Sequence, residues 1–157
     1  KGGLSDTSDQ TVKYHTACHL LLAALQKEIS PEISQKGSNL TPERLRFDFN
    51  VDHKLTPEEL KRLEDLVNQW IEADLPVVYN EYDKDYAFDE MHANGSFRDR
   101  YPDRVTVYTI GIEDNEPVSV EICGGPHVTR TGELGRFKIQ KEESSSAGVR
   151  RIKAILE

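Results

Sequence analysis

From Thr56 to Ala73, apolar residues recur at Leu60, Leu63, Val67, Trp70 and Ile71, three or four positions apart, which sets them on one stripe of an α-helix. Thr56-Pro57-Glu58-Glu59 marks the start: Thr56 can cap, Pro57 suits the first helical position, and Glu59 completes a capping box. The pattern predicts an amphipathic helix running to about Ala73 and packed on a sheet, with Trp70 in the core. An earlier helix is predicted over about 11–29, with Val12, Leu21, Leu22 and Leu25 on its core side. It must stop before Ser30-Pro31, because a residue preceding proline is pushed out of the helical region.

Period-two alternation marks a strand at 45–49, where Leu45, Phe47 and Phe49 alternate with Arg44, Arg46 and Asp48. Another strand is expected at 33–37, with Gly37-Ser38-Asn39 and Thr41-Pro42 turning the chain between the two. Further strands are expected at 76–82, 104–110, 118–122, 136–142 and 149–156, and residues 83–101 read as a helical or irregular insert. Two main helices on a largely antiparallel β-sheet make an α+β fold.

A length of 157 residues implies one domain, at most with a small appendage, able to bury roughly two-thirds of its unfolded surface. Residues 1–10 are small and polar, a linker or a truncated N-terminal strand, leaving 11–157 as the functional domain. The chain opens on Lys1-Gly2-Gly3-Leu4 with no initiator Met, as expected of a domain excised from a longer protein. No stretch approaches the roughly 20 apolar residues of a membrane span and no signal peptide is visible. No membrane partner and a cytoplasmic location are therefore expected. Two cysteines in such a chain read as reduced thiols, with a Cys18–Cys123 disulfide left open by the sequence alone.

A formal charge of -8 argues against a surface coated in nucleic-acid-binding positive potential. The charge is unevenly spread. Residues 128–153 hold seven basic side chains against three acidic ones, a local excess of +4, while acid concentrates in 58–72 and 81–103.

Two separated pairs carry the candidate chemistry. His15 and His19 sit four apart on the first predicted helix, one above the other, so they can hold one ion between them. Cys123 and His127 are also four apart, but Gly124-Gly125-Pro126 forbids a helix and requires a tight turn that folds the two side chains together. A thiolate with imidazoles is the ligand set expected for zinc (Zn2+). The strand ending at Ile122 delivers Cys123 to a sheet edge, where it can meet a helix packed across that sheet.

Further motifs accompany these pairs: Gln35-Lys36-Gly37-Ser38, Arg44-Leu45-Arg46-Phe47-Asp48-Phe49, Thr131-Gly132-Glu133-Leu134-Gly135 and the tail 144–152, Ser-Ser-Ser-Ala-Gly-Val-Arg-Arg-Ile. In this order they resemble the editing domain of alanyl-tRNA synthetase, the second additional domain of class II synthetases, found also in free-standing alanyl-tRNA editing proteins. The likeness covers nearly the whole chain. It implies the second-additional-domain fold and a zinc-dependent hydrolase that cleaves the ester of seryl- or glycyl-tRNA for alanine. Its partners would be the acceptor end of that tRNA and the remainder of a parent synthetase. Zinc in such a site can polarise the scissile carbonyl, orient the terminal ribose or lower the pKa of a bound water toward roughly 7.

By matching positions, the resemblance makes His15, His19, Cys123 and His127 metal ligands in the catalytic site, and Gln35 a polar residue beside the aminoacyl group. Ser38 and Arg44 become candidates for terminal-adenosine or phosphate contacts, and Gly124 and Gly125 shape the turn and admit the ribose. Arg150 and Arg151, in the +4 segment, are candidates to face the acceptor end. Two positions depart from the alanyl pattern. Cys18 stands where threonine is common, pointing about 100° from His19 and so poorly placed as a ligand. Pro126 stands where alanyl forms often have threonine and the threonyl-tRNA synthetase editing domain often has proline. Four ligands would also close a tetrahedral zinc, whereas catalysis generally needs an open position. The alternatives are a zinc-stabilised tRNA-binding module without activity, a free-standing editor acting in trans, and an unrelated zinc hydrolase of small esters.

Overall fold

The computed structural model describes residues 4–111 and 116–157. Its centre is helix α1 (Asp9–Glu28), in which every residue from Tyr14 to Leu25 is buried. A helix enclosed on all sides has no polar face to show, which explains the unbroken run Leu20-Leu21-Leu22-Ala23-Ala24. Ser8 caps the start by accepting the Thr11 N–H, so the helix begins two residues before the expected Thr11. Residues 1–3 of the expected N-terminal segment lie outside the described residues, and Leu4 bridges in parallel to Leu40.

Helix α1 lies among strands β1 (Gln35–Leu40) and β2 (Leu45–Asn50), helix α2 (Pro57–Glu72) and strand β5 (Ser119–Ile122). The α2 capping box forms as expected, with Thr56 and Glu59 each satisfying the other's backbone N–H. Leu63, Leu66, Val67 and Ile71 of α2 are buried, and Trp70 is half-buried against the same core. Each fully buried Leu or Phe of this core contributes about 1.5–3 kcal/mol relative to exposure.

The remaining elements are β3 (Val77–Asp83), a short α3 (Lys84–Asp89), β4 (Arg104–Ile110), β6 (Phe137–Ser146) and β7 (Val149–Leu156). The strands divide between two sheets, β1-β2-β7-β6 and β3-β4-β5, and every pairing between named strands is antiparallel. This is the α+β class read from the pattern. Cys18 and Cys123 are both free, which closes the question of a disulfide between them.

Two strands differ from expectation for local reasons. The first runs over Gln35–Leu40 rather than 33–37, because Gly37-Ser38-Asn39 pairs with β2 instead of turning, after a register shift between Gln35 and Gly37. The turn falls later, where the Thr41 N–H bonds to the Arg44 carbonyl. β6 continues to Ser146, past the expected Glu142, because the hairpin to β7 turns only at Ala147-Gly148, with Gly148 at φ +72. The insert 83–101 holds α3 and one turn of 3-10 helix at Arg98–Arg100, and its Asn94 bridges to Glu121 of β5.

Two buried polar contacts fix the four-stranded sheet against α2. Asn68 donates to the Phe137 carbonyl and accepts the Phe137 N–H, both at 2.8 Å. Glu142 accepts two bonds from Arg150 at 2.8 and 2.9 Å and a third from the Leu55 N–H. Burial pushes Glu142 up, but Arg150, the Leu55 N–H and Lys54 together hold its carboxyl below the usual range. A depressed carboxyl adds stability above its unfolded pKa and loses it as pH falls through the folded one. The stability advantage of the wild type over Glu142→Gln is therefore expected to shrink in denaturant titrations taken from neutral pH to below about pH 4. Asn68→Ala, which leaves two buried backbone groups unpaired, is expected to cost about 2–4 kcal/mol by the same titration at neutral pH.

Candidate metal centre and cleft

The two predicted half-sites meet. α1 presents His15 and His19 one turn apart, and β5 ends at Ile122 so that Cys123 begins a turn held by its N–H on the Thr106 carbonyl at 3.0 Å. Gly125 adopts φ +73 and its N–H donates to Cys123 Sγ at 3.3 Å. A side chain there would collide with the Tyr108 hydroxyl, so this position requires glycine, whereas a Cβ at Gly124 would meet nothing within 4 Å. The turn brings His127 Nε2 to 3.4 Å from Cys123 Sγ, and His15 Nε2 lies 3.5 Å from the same sulfur. One ligand atom from each of His15, His19, Cys123 and His127 lies within 4.8 Å of all the others.

The second nitrogen of each imidazole decides what the first can do. His15 Nδ1 lies 2.9 Å from the Pro126 carbonyl, which can only accept. Nδ1 therefore carries the proton and Nε2 is left with its lone pair toward Cys123. Thr16 Oγ1 donates to the Val12 carbonyl at 3.4 Å and accepts the Val128 N–H at 3.2 Å. Toward His127 Nδ1, at 2.9 Å, it is thus an acceptor, which again leaves Nε2 as the free nitrogen. His19 Nε2 is held by Glu121 Oε2 at 2.8 Å, while its Nδ1 is buried with no hydrogen-bond partner among the described residues. Carbonyl, hydroxyl and carboxylate behind three imidazoles form the outer shell that orients metal-ligating histidines.

The donor set fits a divalent ion of zinc's type. Bonds of about 2.3 Å to sulfur and 2.0–2.1 Å to nitrogen, set tetrahedrally, separate ligand atoms by roughly 3.3–3.7 Å. The two sulfur-to-nitrogen distances fall in that range. Burial pushes the Cys123 thiol up, but its contacts with His15 and His19 outweigh burial and bring it down to about 6, so the ligating thiolate is accessible at neutral pH. Burial and the neighbouring His19 and His15 hold His127 down as neutral imidazole. Burial lowers His19, but Glu121 and Cys123 raise it to about 10. An ion bound here takes the place of the His19 and Cys123 protons. Cys18 stands outside the group, and burial with the Glu121 charge pushes its thiol up.

His15, His19 and Cys123 open onto a cleft of about 1060 Å³. Gln35, Ser38, Gly124 and Gly125 also line it, with Gln35 Nε2 donating to Ser38 Oγ at 3.1 Å. Arg44, Arg150 and Arg151 do not line it. Arg44 donates to the Asn39 carbonyl in the β1-β2 turn, Arg150 is tied to Glu142, and Arg151 makes two bonds to Asp48 across the β2-β7 pair.

Glu121, Thr16 and the Pro126 carbonyl hold the candidate ligands and were not singled out from the sequence. Local pattern gives no signal for Glu121, which reads as one acid between apolar neighbours until the fold buries it beside His19. Pro126 acts through its carbonyl, a group any residue supplies, so its side chain is no guide to the site.

Residues 105–153 match the threonyl and alanyl tRNA synthetase second additional domain. Over all 157 residues the chain is 52% identical to an alanine–tRNA ligase of Treponema denticola, covering 25% of that protein. It is 51% identical over 156 residues, 99% of its length, to one of Borrelia hermsii, again covering 25% of it. It is 47% identical over 146 residues, 92% of its length, to one of Thermus thermophilus, covering 16%. The chain spans a quarter or less of the length of these relatives.

Because the outer shell fixes each imidazole, Glu121→Gln and Thr16→Val are each expected to lower zinc affinity by about 10–100-fold, measured by competition with a chromogenic chelator. Unchanged affinity in both variants would mean that the orienting contacts are incidental.

Proposed function

The chain belongs to the alanyl-tRNA synthetase type of second additional domain, and we propose that it removes wrongly attached amino acids from tRNA for alanine by hydrolysing their ester bond. The observation that carries this reading is the three-histidine, one-cysteine group, of which His15, His19 and Cys123 open onto a cleft also lined by Gln35 and Ser38. The chemical need is plain. A charging pocket for alanine cannot strongly reject smaller glycine, and one added hydroxyl gives limited discrimination against serine, so a second site must destroy the wrong product.

In this reading residues 11–157 are the editing unit, acting in the cytoplasm as part of a parent ligase whose ATP-dependent charging step occurs elsewhere in that protein. Zinc, when held by His15, His19, Cys123 and His127, supplies positive charge that can polarise the scissile carbonyl or orient the terminal ribose. Gln35 offers amide hydrogen bonds to the serine hydroxyl, which sets the aminoacyl group above the cluster. Gly124, exposed and without a Cβ, lets the ribose approach the backbone. The side chains of Cys18 and Leu22 add apolar wall to the cleft, which leaves the attacking water to be placed by the polar groups around the cluster. Four chain ligands close a tetrahedral shell, so the cycle requires one ligand to be displaceable or the shell to expand. With a net charge of -8, the chain draws most of its affinity for tRNA from the parent synthetase through effective concentration.

Deacylation of seryl-, glycyl- and alanyl-tRNA for alanine, by wild type and Cys123→Ala with and without chelator, tests the proposal. The expected outcome is hydrolysis of the seryl or glycyl ester, little action on the alanyl ester, and a loss of at least about 100-fold in the variant or with chelator. Equal hydrolysis of all three esters would defeat the assignment.

A further inference from the structure

The cleft wall opposite β1 is built by the insert between β3 and β4, and it presents an exposed aromatic ring. Phe97 is 78% exposed, the highest among the large apolar residues described, and it lines the cleft. The other three such residues, Val78, Tyr79 and Tyr86, do not line it. A single exposed apolar residue is ordinary on a protein surface, but a ring that also lines a cleft is placed to meet what the cleft binds.

The loop that carries Phe97 is braced. Asn94 is clamped to β5, its N–H on the Val120 carbonyl and its carbonyl receiving the Ile122 N–H, and its side chain exchanges bonds with Gln26 of α1. Beyond it the Ser96 N–H donates to the Tyr101 hydroxyl, and Arg100 and Tyr101 close the 3-10 turn onto Phe97 and Arg98. Arg98 is pinned to Asp85 and Asp89 and lies over the Phe88 ring. Phe97 is therefore held out by a fixed frame.

Charge around the ring has the opposite sign to that of the whole chain. Lys36, Arg100 and Arg104 line the cleft, and its one lining carboxylate, Glu121, is held by His19. Arg104 is paired with Asp83, but among the described residues Lys36 and Arg100 have no carboxylate partner. The Arg100 guanidinium lies over the Phe97 ring at 6.0 Å from its centre, a cation on one face that leaves the other for a base. An exposed aromatic ring and cations without carboxylate partners, lining the cleft onto which the proposed ester site opens, match a nucleotide: a base to stack and phosphates to neutralise.

We propose that Phe97 is the stacking platform for an unpaired base at the single-stranded 3′ end of the nucleic acid, and that Arg100 and Lys36 take its backbone phosphates. The identity of that nucleic acid rests on the deacylase reading above. Phe97 and Arg100 are binding residues, and they set how far the reacting ester reaches toward the metal cluster.

The test is binding, by fluorescence anisotropy, of an acceptor-stem RNA hairpin with its single-stranded 3′-CCA end, compared with the same hairpin lacking that end. Wild type should prefer the tailed hairpin. Phe97→Ala should weaken that binding roughly tenfold and remove the preference, while Phe97→Trp retains both. Arg100→Ala should flatten the salt dependence of binding by about 0.7 in log-log slope for the phosphate it releases. Zinc content and thermal midpoint, unchanged in each variant, show that the fold is intact. An unaltered Kd in Phe97→Ala would overturn the proposal, as would equal weakening by Phe97→Trp. An unaltered Kd with weakened association to the remainder of a parent synthetase would overturn it in favour of a protein contact. Phe97-dependent binding without ester hydrolysis by wild type defeats only the deacylase reading; hydrolysis with Kd and KM unmoved in Phe97→Ala defeats only this one.

Discussion

Polar side chains can be buried at low cost only where each finds a partner, and α1 buries His15, Thr16 and His19 within its apolar run. Their partners come from one short stretch. Glu121 holds His19, Cys123 and the Pro126 carbonyl hold His15, and His127 and the Val128 N–H meet at Thr16. Apart from the bond that Thr16 makes to the Val12 carbonyl, these partners come from outside α1. Helix α1 and the β5 turn therefore define one another, and with them the place where the three-stranded sheet docks on the helix whose other neighbours include α2, β1 and β2.

That mutual dependence also explains why the site can hold an ion and still face a cleft. In His15 and His127 one ring nitrogen is occupied by a carbonyl or hydroxyl of the fold, and the other lies beside the sulfur. Since ligands are supplied by two elements far apart in sequence, an ion held there cross-links the chain across more than a hundred residues, so metal binding and folding stability are coupled. The same geometry leaves a basic, aromatic wall on the insert side in a chain whose net charge is -8. Net charge describes the whole surface; the potential that a ligand meets is that of the cleft.

Much of this was legible in the sequence because it follows from spacing. The α2 stripe and capping box, the alternation of Leu45, Phe47 and Phe49, and the strands at Arg104–Ile110 and Val149–Leu156 stand where the pattern put them. The four side chains that could hold an ion were legible for the same reason, as two pairs at intervals of four residues on a helix and on a turn. What was not legible depends on contacts between distant segments. Glu121 reads as one acid among many until His19 is seen beside it, and Thr16 reads as filler between histidines until Val128 and His127 arrive. Arg150 and Arg151 read as free positive charge, but Glu142 and Asp48 are positioned by strand pairing that no local pattern reveals. The serine-rich end of β6 lies past the expected strand end at 142 and is a strand because β7 pairs with it.

The central claim is that one thiolate and three fixed imidazoles form a single ligand set. X-ray absorption at the zinc edge of the metal-loaded chain tests it most directly. One sulfur at about 2.3 Å with nitrogen ligands at about 2.0–2.1 Å is the predicted shell. A shell of nitrogen and oxygen with no sulfur, or a chain that retains no zinc, would contradict it.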